Sequence, residues 1–163
     1  MAYLAHPRPV VLVGSRDDEH VSQLARRLEQ EGAEAVVVDT LAFPEETCLA
    51  LTEDLDGISL EGQRLELPGA VYVRAAHAHP LAFGVDAREA MEEDWRTTLV
   101  AFREKATLLR GLLGRWEALG VPLYNPESTS WRMHKPVQLA LLARAGLPVP
   151  ETLWTNEPAA VRR

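Results

Sequence analysis

Pro9-Val10-Val11-Leu12-Val13-Gly14, followed at once by Ser15-Arg16-Asp17-Asp18-Glu19, decides the fold. The first six residues form an apolar, β-branched run closed by a glycine, the pattern of a strand buried on both faces. The next five carry helix-start chemistry. Ser15 or Asp17 can cap, and acids fill the first turn, where the helix end is partially positive. Val21, Leu24, Ala25 and Leu28 follow at helical spacing, and Gly32 ends the helix. Ala35-Val36-Val37-Val38-Asp39 is a second buried strand. Such a β–α–β unit implies two parallel strands joined by a right-handed crossover.

Working outward, Ala70-Val71-Tyr72-Val73-Arg74 reads as a third buried strand and Val121-Pro122-Leu123-Tyr124 as a short fourth. Between the second and third, residues 47–67 alternate with period two and contain the turn signals Asp56-Gly57 and Glu61-Gly62, which predicts an antiparallel ribbon. The expected fold is α/β: a Rossmann-like, mostly parallel sheet of strands 9–14, 34–39, 70–74 and 121–124. Helices cover both faces, and the small ribbon is attached. Lys135 precedes Pro136 and is expected outside the helical region, with helix 136–145 turning Val137, Leu141, Leu142 and Ala145 inward.

Residues 86–118 give the strongest helical signal. Met91, Trp95, Leu99, Phe102, Ala106, Leu109, Leu113 and Trp116 form one stripe. It is about 37 Å long at 1.5 Å per residue, roughly twice what a crossover on a small sheet requires. Either the helix breaks, or its N-terminal half packs on something beyond the sheet. The second case predicts a homodimer.

Composition narrows the classes. With 47% hydrophobic and 25% charged residues, the chain is neither disordered nor low in complexity. No apolar run exceeds five residues, as at Leu139–Ala143, against about 18 for a membrane helix. No basic-then-apolar leader opens the sequence, so no secretion signal is expected. The single Cys48 excludes an internal disulfide framework and fits a reducing cytoplasm. A net charge of −7 argues against nucleic-acid binding. That charge is uneven, −12 over residues 1–94 and +5 over 95–163.

Ligands of open parallel sheets bind at the strands' C-terminal ends. Ser15, Asp18 and Arg74 fall at such ends and His77 just beyond, which makes them candidates for a substrate cleft. The arginine is suited to a carboxylate or phosphate. The stretch Gly14-Ser15-Arg16 matches neither a dinucleotide fingerprint nor a P-loop. His77-Ala78-His79 lacks a nearby third ligand, so no metal site is expected. Cys48 has no activating base close in sequence. Asp17, Asp18 and Asp39 invite a phosphoacceptor-receiver reading, but Arg74 stands where that fold requires an acid.

The C-terminal third carries a combination of motifs: Tyr124-Asn125-Pro126, then Lys135, Gln138-Leu139 and Ala143. Ala145-Gly146-Leu147-Pro148-Val149-Pro150-Glu151-Thr152-Leu153 and Thr155-Asn156-Glu157-Pro158 complete it. The combination resembles the RimK-like ATP-grasp ligases. The N-terminal part, with Ser15-Arg16-Asp17-Asp18 and Val71-Tyr72-Val73-Arg74, looks like the pre-ATP-grasp domain of their microviridin-type peptide ligases. The resemblance implies a pre-ATP-grasp domain over 1–125, and a connecting helix with the start of the ATP-grasp region over 126–163. It implies ATP and Mg2+ in a longer parent, which activates a carboxylate as an acyl phosphate for attack by an amine, with a peptide as a candidate substrate. It places Lys135 on the ATP phosphates, and it implies that the isolated chain holds no catalytic residue or cofactor. From a different class, the same fold would serve as a non-catalytic peptide- or ligand-binding and dimerisation module.

Overall fold

The computed structural model describes residues 8–43, 47–51, 58–76 and 87–162. Strands β1 (Val10–Gly14), β2 (Ala35–Asp39), β6 (Ala70–Val73) and β7 (Leu123–Tyr124) form a parallel sheet in the order β2-β1-β6-β7. Strands β3 (Leu49–Leu51), β4 (Ile58–Leu60) and β5 (Gln63–Leu65) form a separate antiparallel sheet. The α/β fold and the ribbon agree with the sequence expectation.

Alternation along β1 separates the two faces. Val11 and Val13 join one buried cluster with Leu109, Leu112, Leu113 and Trp116 of helix α2 (Ala87–Ala118). Leu12 is also fully buried but points the other way, to the side of helix α1 (Glu19–Gln30). Gly14 ends β1 at a point where a side chain would crowd its neighbours. A Cβ there would stand 3.0 Å from Val21 Cγ2 and 3.2 Å from Arg74 Cβ.

Helix α1 is capped by Asp18, whose side chain accepts from the His20 amide at 2.8 Å. Ser15 and Asp17, the caps expected from sequence, stand before the helix. The Ser15 hydroxyl instead accepts from the Asp17 amide and shapes the turn that leads to the cap.

Helix α2 breaks at Asp94, which sits at φ −150° and ψ 86°. Its carboxylate accepts from the Thr97 hydroxyl and from the Thr97 and Arg96 amides, and so acts as N-cap for the segment that follows. The Thr97 hydroxyl does most to hold this carboxyl below the ordinary 3.8. The break divides the stripe. From Phe102 to Trp116 it is buried, whereas Trp95 and Leu99 are 51% and 43% exposed. Asp94→Ala is expected to lower the Tm by a few degrees, and Asp94→Ser to keep most of the loss from appearing, as read by thermal denaturation.

The chain divides into two compact units, Met1–Pro126 and Glu127–Arg163. The second has a 3-10 turn (Glu127–Met133), helix α3 (Lys135–Arg144) and a second 3-10 turn (Pro158–Arg162). Two expectations are corrected here. Lys135 is the first residue of α3, with His134 as cap residue, because the first amides of a helix have no intrahelical acceptor and Pro136 loses nothing there. Leu141 and Leu142 are not turned inward but are 47% and 41% exposed. This unit is one helix with short turns and supplies no second layer for them to pack against.

Candidate functional site

The chain leaves β1 for β2 on one side and reaches β6 on the other, so the sheet's topological switch point lies between β1 and β6. The turn after Gly14 and the segment after Val73 flank it. Ser15 is buried at its base. Arg74 Nε lies 3.1 Å from Asp18 Oδ2, and His20 Nδ1 lies 3.1 Å from Asp18 Oδ1. Three of the residues singled out by sequence, Ser15, Asp18 and Arg74, therefore stand together. They do so because β6 pairs with β1, which sequence spacing does not reveal. His77 and His79 lie outside the described residues. Lys135 belongs to the second unit, where its ammonium donates to Gln138 Oε1 at 3.1 Å.

Asp18 is exposed to opposing influences. Partial burial pushes its carboxyl up. The His20 amide, the Arg74 guanidinium, the His20 ring and the Val21 amide together outweigh this and hold it below the ordinary 3.8. A carboxylate with a lowered folded pKa contributes stability that is present above the unfolded value and lost as pH falls through the folded one. The Tm difference between the native chain and Asp18→Asn is accordingly expected to be constant above pH about 5 and to shrink below 3.8. A difference independent of pH throughout would show that these partners together do not hold the Asp18 carboxyl below its ordinary value.

Sequence reasoning noticed Asp39 and Asn125 but not the structural part they play at this edge, and it passed over Thr40. Asp39 is buried and its carboxylate accepts from the Arg16, Leu41 and Ala42 amides. Thr40 is fully buried and its hydroxyl donates to the Ala75 carbonyl. Asn125, at φ 61°, donates from its amide to the Val73 carbonyl at 3.1 Å. An asparagine tolerates this left-handed conformation better than most side chains. The signal for Thr40 was a polar residue directly after an apolar strand. Asp39 satisfies backbone amides, which accounts for an acid at the end of β2 without a phosphoacceptor.

Among the described residues, no three His, Cys, Asp or Glu side chains converge on a position that could hold a metal. No acidic cradle for magnesium is therefore present among the described residues. Lys135 at the opening of α3 is a chemical match for phosphate. No helix of the described residues is long and apolar enough to cross a membrane.

No protein-family model matches the sequence, and no curated protein does. Solved structures do. ATP-grasp ligase PsnB, complexed with a phosphomimetic variant of a minimal precursor, Mg and ADP, is 47% identical with a TM-score of 0.79. The solved structures this chain resembles are ATP-grasp ligases and macrocyclases. The chain covers 51% of PsnB, and PsnB covers 96% of the chain. Macrocyclase MdnC from Microcystis aeruginosa MRC, bound with precursor peptide MdnA, is 27% identical with a TM-score of 0.72, over 94% of this chain and 49% of that one. A RiPP-associated ATP-grasp ligase of Chryseobacterium gregarium, at 19% identity and a TM-score of 0.68, shares the fold. The chain thus spans about half the length of the ATP-grasp ligases it matches, in agreement with the resemblance carried by its own motifs.

Proposed function

We propose that the chain is the N-terminal part of an ATP-dependent carboxylate–amine ligase of the RimK-like ATP-grasp type that acts on a peptide. The observation that carries this is the 47% identity to PsnB sustained across 96% of the chain. Residues 1–125 are then the pre-ATP-grasp domain, and 126–163 the connecting helix and the start of the ATP-grasp region. In the complete ligase, ATP with magnesium would supply phosphoryl activation of a carboxylate, with ADP leaving, for displacement of phosphate by an amine, and the magnesium ligands would come from outside the described residues. Ser15, Asp18, Arg74 and His77 wall the substrate cleft, where the Arg74 guanidinium faces an anionic group of the substrate. Lys135 meets the ATP phosphates. The 163-residue chain has no catalytic group of its own in this scheme, and its single cysteine suits a cytoplasmic protein. The complete ligase, given ATP, magnesium and a peptide bearing carboxylate and amine side chains, is expected to release ADP only when the peptide is present. Peptide binding without any ADP release would overturn the reading in favour of a non-catalytic binding module.

The exposed half of the α2 stripe supports self-association. Trp95, Leu99 and Val100 are exposed. A cavity of about 190 Å³ lined by Thr98, Ala101, Phe102 and Lys105 opens on the same helix. Apolar surface of this kind marks a partner. Sedimentation at tens of micromolar is expected to give a homodimer for the native chain and a monomer for Leu99→Glu. A native chain that sediments only as a monomer would refute it.

A further inference from the structure

The ladder between β6 and β7 stops one rung early. The Val71 amide donates to the Pro122 carbonyl at 2.9 Å, and Val71 and Tyr72 pair with Leu123 and Tyr124. In a parallel ladder of this register, the Val73 carbonyl would next accept from the amide of residue 126. Residue 126 is proline and has no N–H to give. The side-chain amide of Asn125 supplies the donor instead, at 3.1 Å, and the residue itself turns to φ 61°. Asparagine suits the place twice over, by its short amide and by its tolerance of the left-handed region.

The bond falls on one particular peptide group. The Val73 carbonyl and the Arg74 amide belong to a single rigid plane. Its amide edge donates to the Val13 carbonyl of β1 at 2.9 Å, and its carbonyl edge accepts from Asn125. The Ala75 amide reaches the same Val13 carbonyl at 3.3 Å, so the chain is already leaving the ladder here. The root of the Arg74 side chain lies against Gly14, where a Cβ would stand 3.2 Å from Arg74 Cβ. From that root, Nε reaches Asp18 Oδ2 at 3.1 Å. With no donor from the β7 side, the plane would be held along its β1 edge only. It could then tilt and carry the direction of the Arg74 side chain with it.

We propose that Asn125 is a positioning residue for the cleft: it pins the Val73–Arg74 peptide from the side of β7 and so holds the Arg74 guanidinium over Asp18. Asn125 touches no ligand in this scheme. Its effect on a substrate rests on the reading of Arg74 as a cleft wall, whereas its hold on Arg74 is a property of the chain alone. Asp18 belongs to the turn between β1 and α1, and β6 lies between β1 and β7. Any influence of Asn125 on Asp18 therefore has to pass through the β6 end that carries Arg74.

The test follows the Asp18 carboxyl by NMR pH titration in the 163-residue chain. Asn125→Gly keeps the positive φ without strain and removes only the side-chain amide. It is expected to move the Asp18 midpoint up toward the ordinary 3.8, in the same direction as Arg74→Ala. In the Arg74→Ala background the same change is expected to have no effect. Adding Pro126→Ala to Asn125→Gly returns a main-chain N–H to the missing rung and is expected to restore the native midpoint. An Asp18 midpoint unmoved by Asn125→Gly would overturn the proposal, and so would an equal movement with Arg74 absent. A double variant that stays shifted would assign the effect to the turn rather than to the donor and overturn it as well. In the complete ligase, Asn125→Gly is expected to raise the peptide KM several-fold with kcat nearly kept, and to add nothing to Arg74→Ala. A peptide KM unchanged by Arg74→Ala would instead refute the cleft reading, and the titration alone would then decide the part played by Asn125.

Discussion

Trp116→Ala is expected to lower the free energy of unfolding by about 3–5 kcal/mol, the range for deleting a large buried aromatic side chain. Trp116 is 2% exposed and packs in the cluster that contains Val11, Val13, Val71 and Val73 of the sheet. Its own carbonyl accepts from the Val121 amide, so the residue sits where α2 gives way to the short β7. Removing the indole leaves a void between the last turns of α2 and three parallel strands, and a close-packed interior refills such a void only in part. Equilibrium denaturation in urea measures the loss. Leu119→Ala, three residues on and 48% exposed, serves as the comparison and is expected to stay within about 0.5 kcal/mol. A Trp116→Ala cost as small as that of Leu119→Ala would mean that α2 does not seal the sheet.

The second large effect belongs to Lys135 and is measured in the complete ligase. Lys135→Ala is expected to raise the ATP kinetic constant roughly 10- to 100-fold, corresponding to about 1.5–3 kcal/mol for a charge-assisted hydrogen bond. Lys135 opens α3, and the cap residue His134 makes no side-chain bond to the helix end. Pro136 has no amide, and the Gln138 amide is taken by the His134 carbonyl. An anion at this end would meet the ammonium and the positive pole of a ten-residue helix together. The ammonium now rests on Gln138 Oε1, an exposed bond that phosphate can replace at little cost. Lys135→Arg should recover only part of the loss, since a planar fork substitutes imperfectly for a mobile point charge. An unchanged ATP constant together with unchanged thermal stability would return Lys135 to an ordinary solvated helix start.

The four strands were legible because β-branched runs such as Val10–Val13 and Ala35–Val38 have few alternatives, and the ribbon because Glu61-Gly62 is turn chemistry. Strand order was less so. The meeting of Arg74 with Asp18 depends on β6 lying beside β1, a pairing across 56 positions that no local pattern encodes. The break at Asp94 was overshadowed by the stripe running through it. Periodicity states which residues share a face and not whether anything stands opposite, which is why Leu141 and Leu142 looked turned inward and are exposed. Ser15 and Asp17 offered the same cap chemistry in sequence, but the helix begins after Asp18, whose carboxylate accepts from the His20 amide, while the Ser15 hydroxyl accepts from the Asp17 amide in the preceding turn.

The order β2-β1-β6-β7 also bears on how the chain assembles and how it can change. β1 meets β2 across 25 positions, as in Val10 with Ala35, but meets β6 across 60, as in Val10 with Ala70. Closing the longer span costs only about 0.8 kcal/mol more in chain entropy, because the cost grows with the logarithm of length. The β1-α1-β2 unit is therefore the natural early-forming piece, and β6 docks onto a strand already held on its other side. The same logarithm makes the stretch between β2 and β6 permissive. Doubling its length would add about 0.6 kcal/mol, so related chains are free to enlarge, shrink or replace the ribbon while the parallel sheet keeps its register.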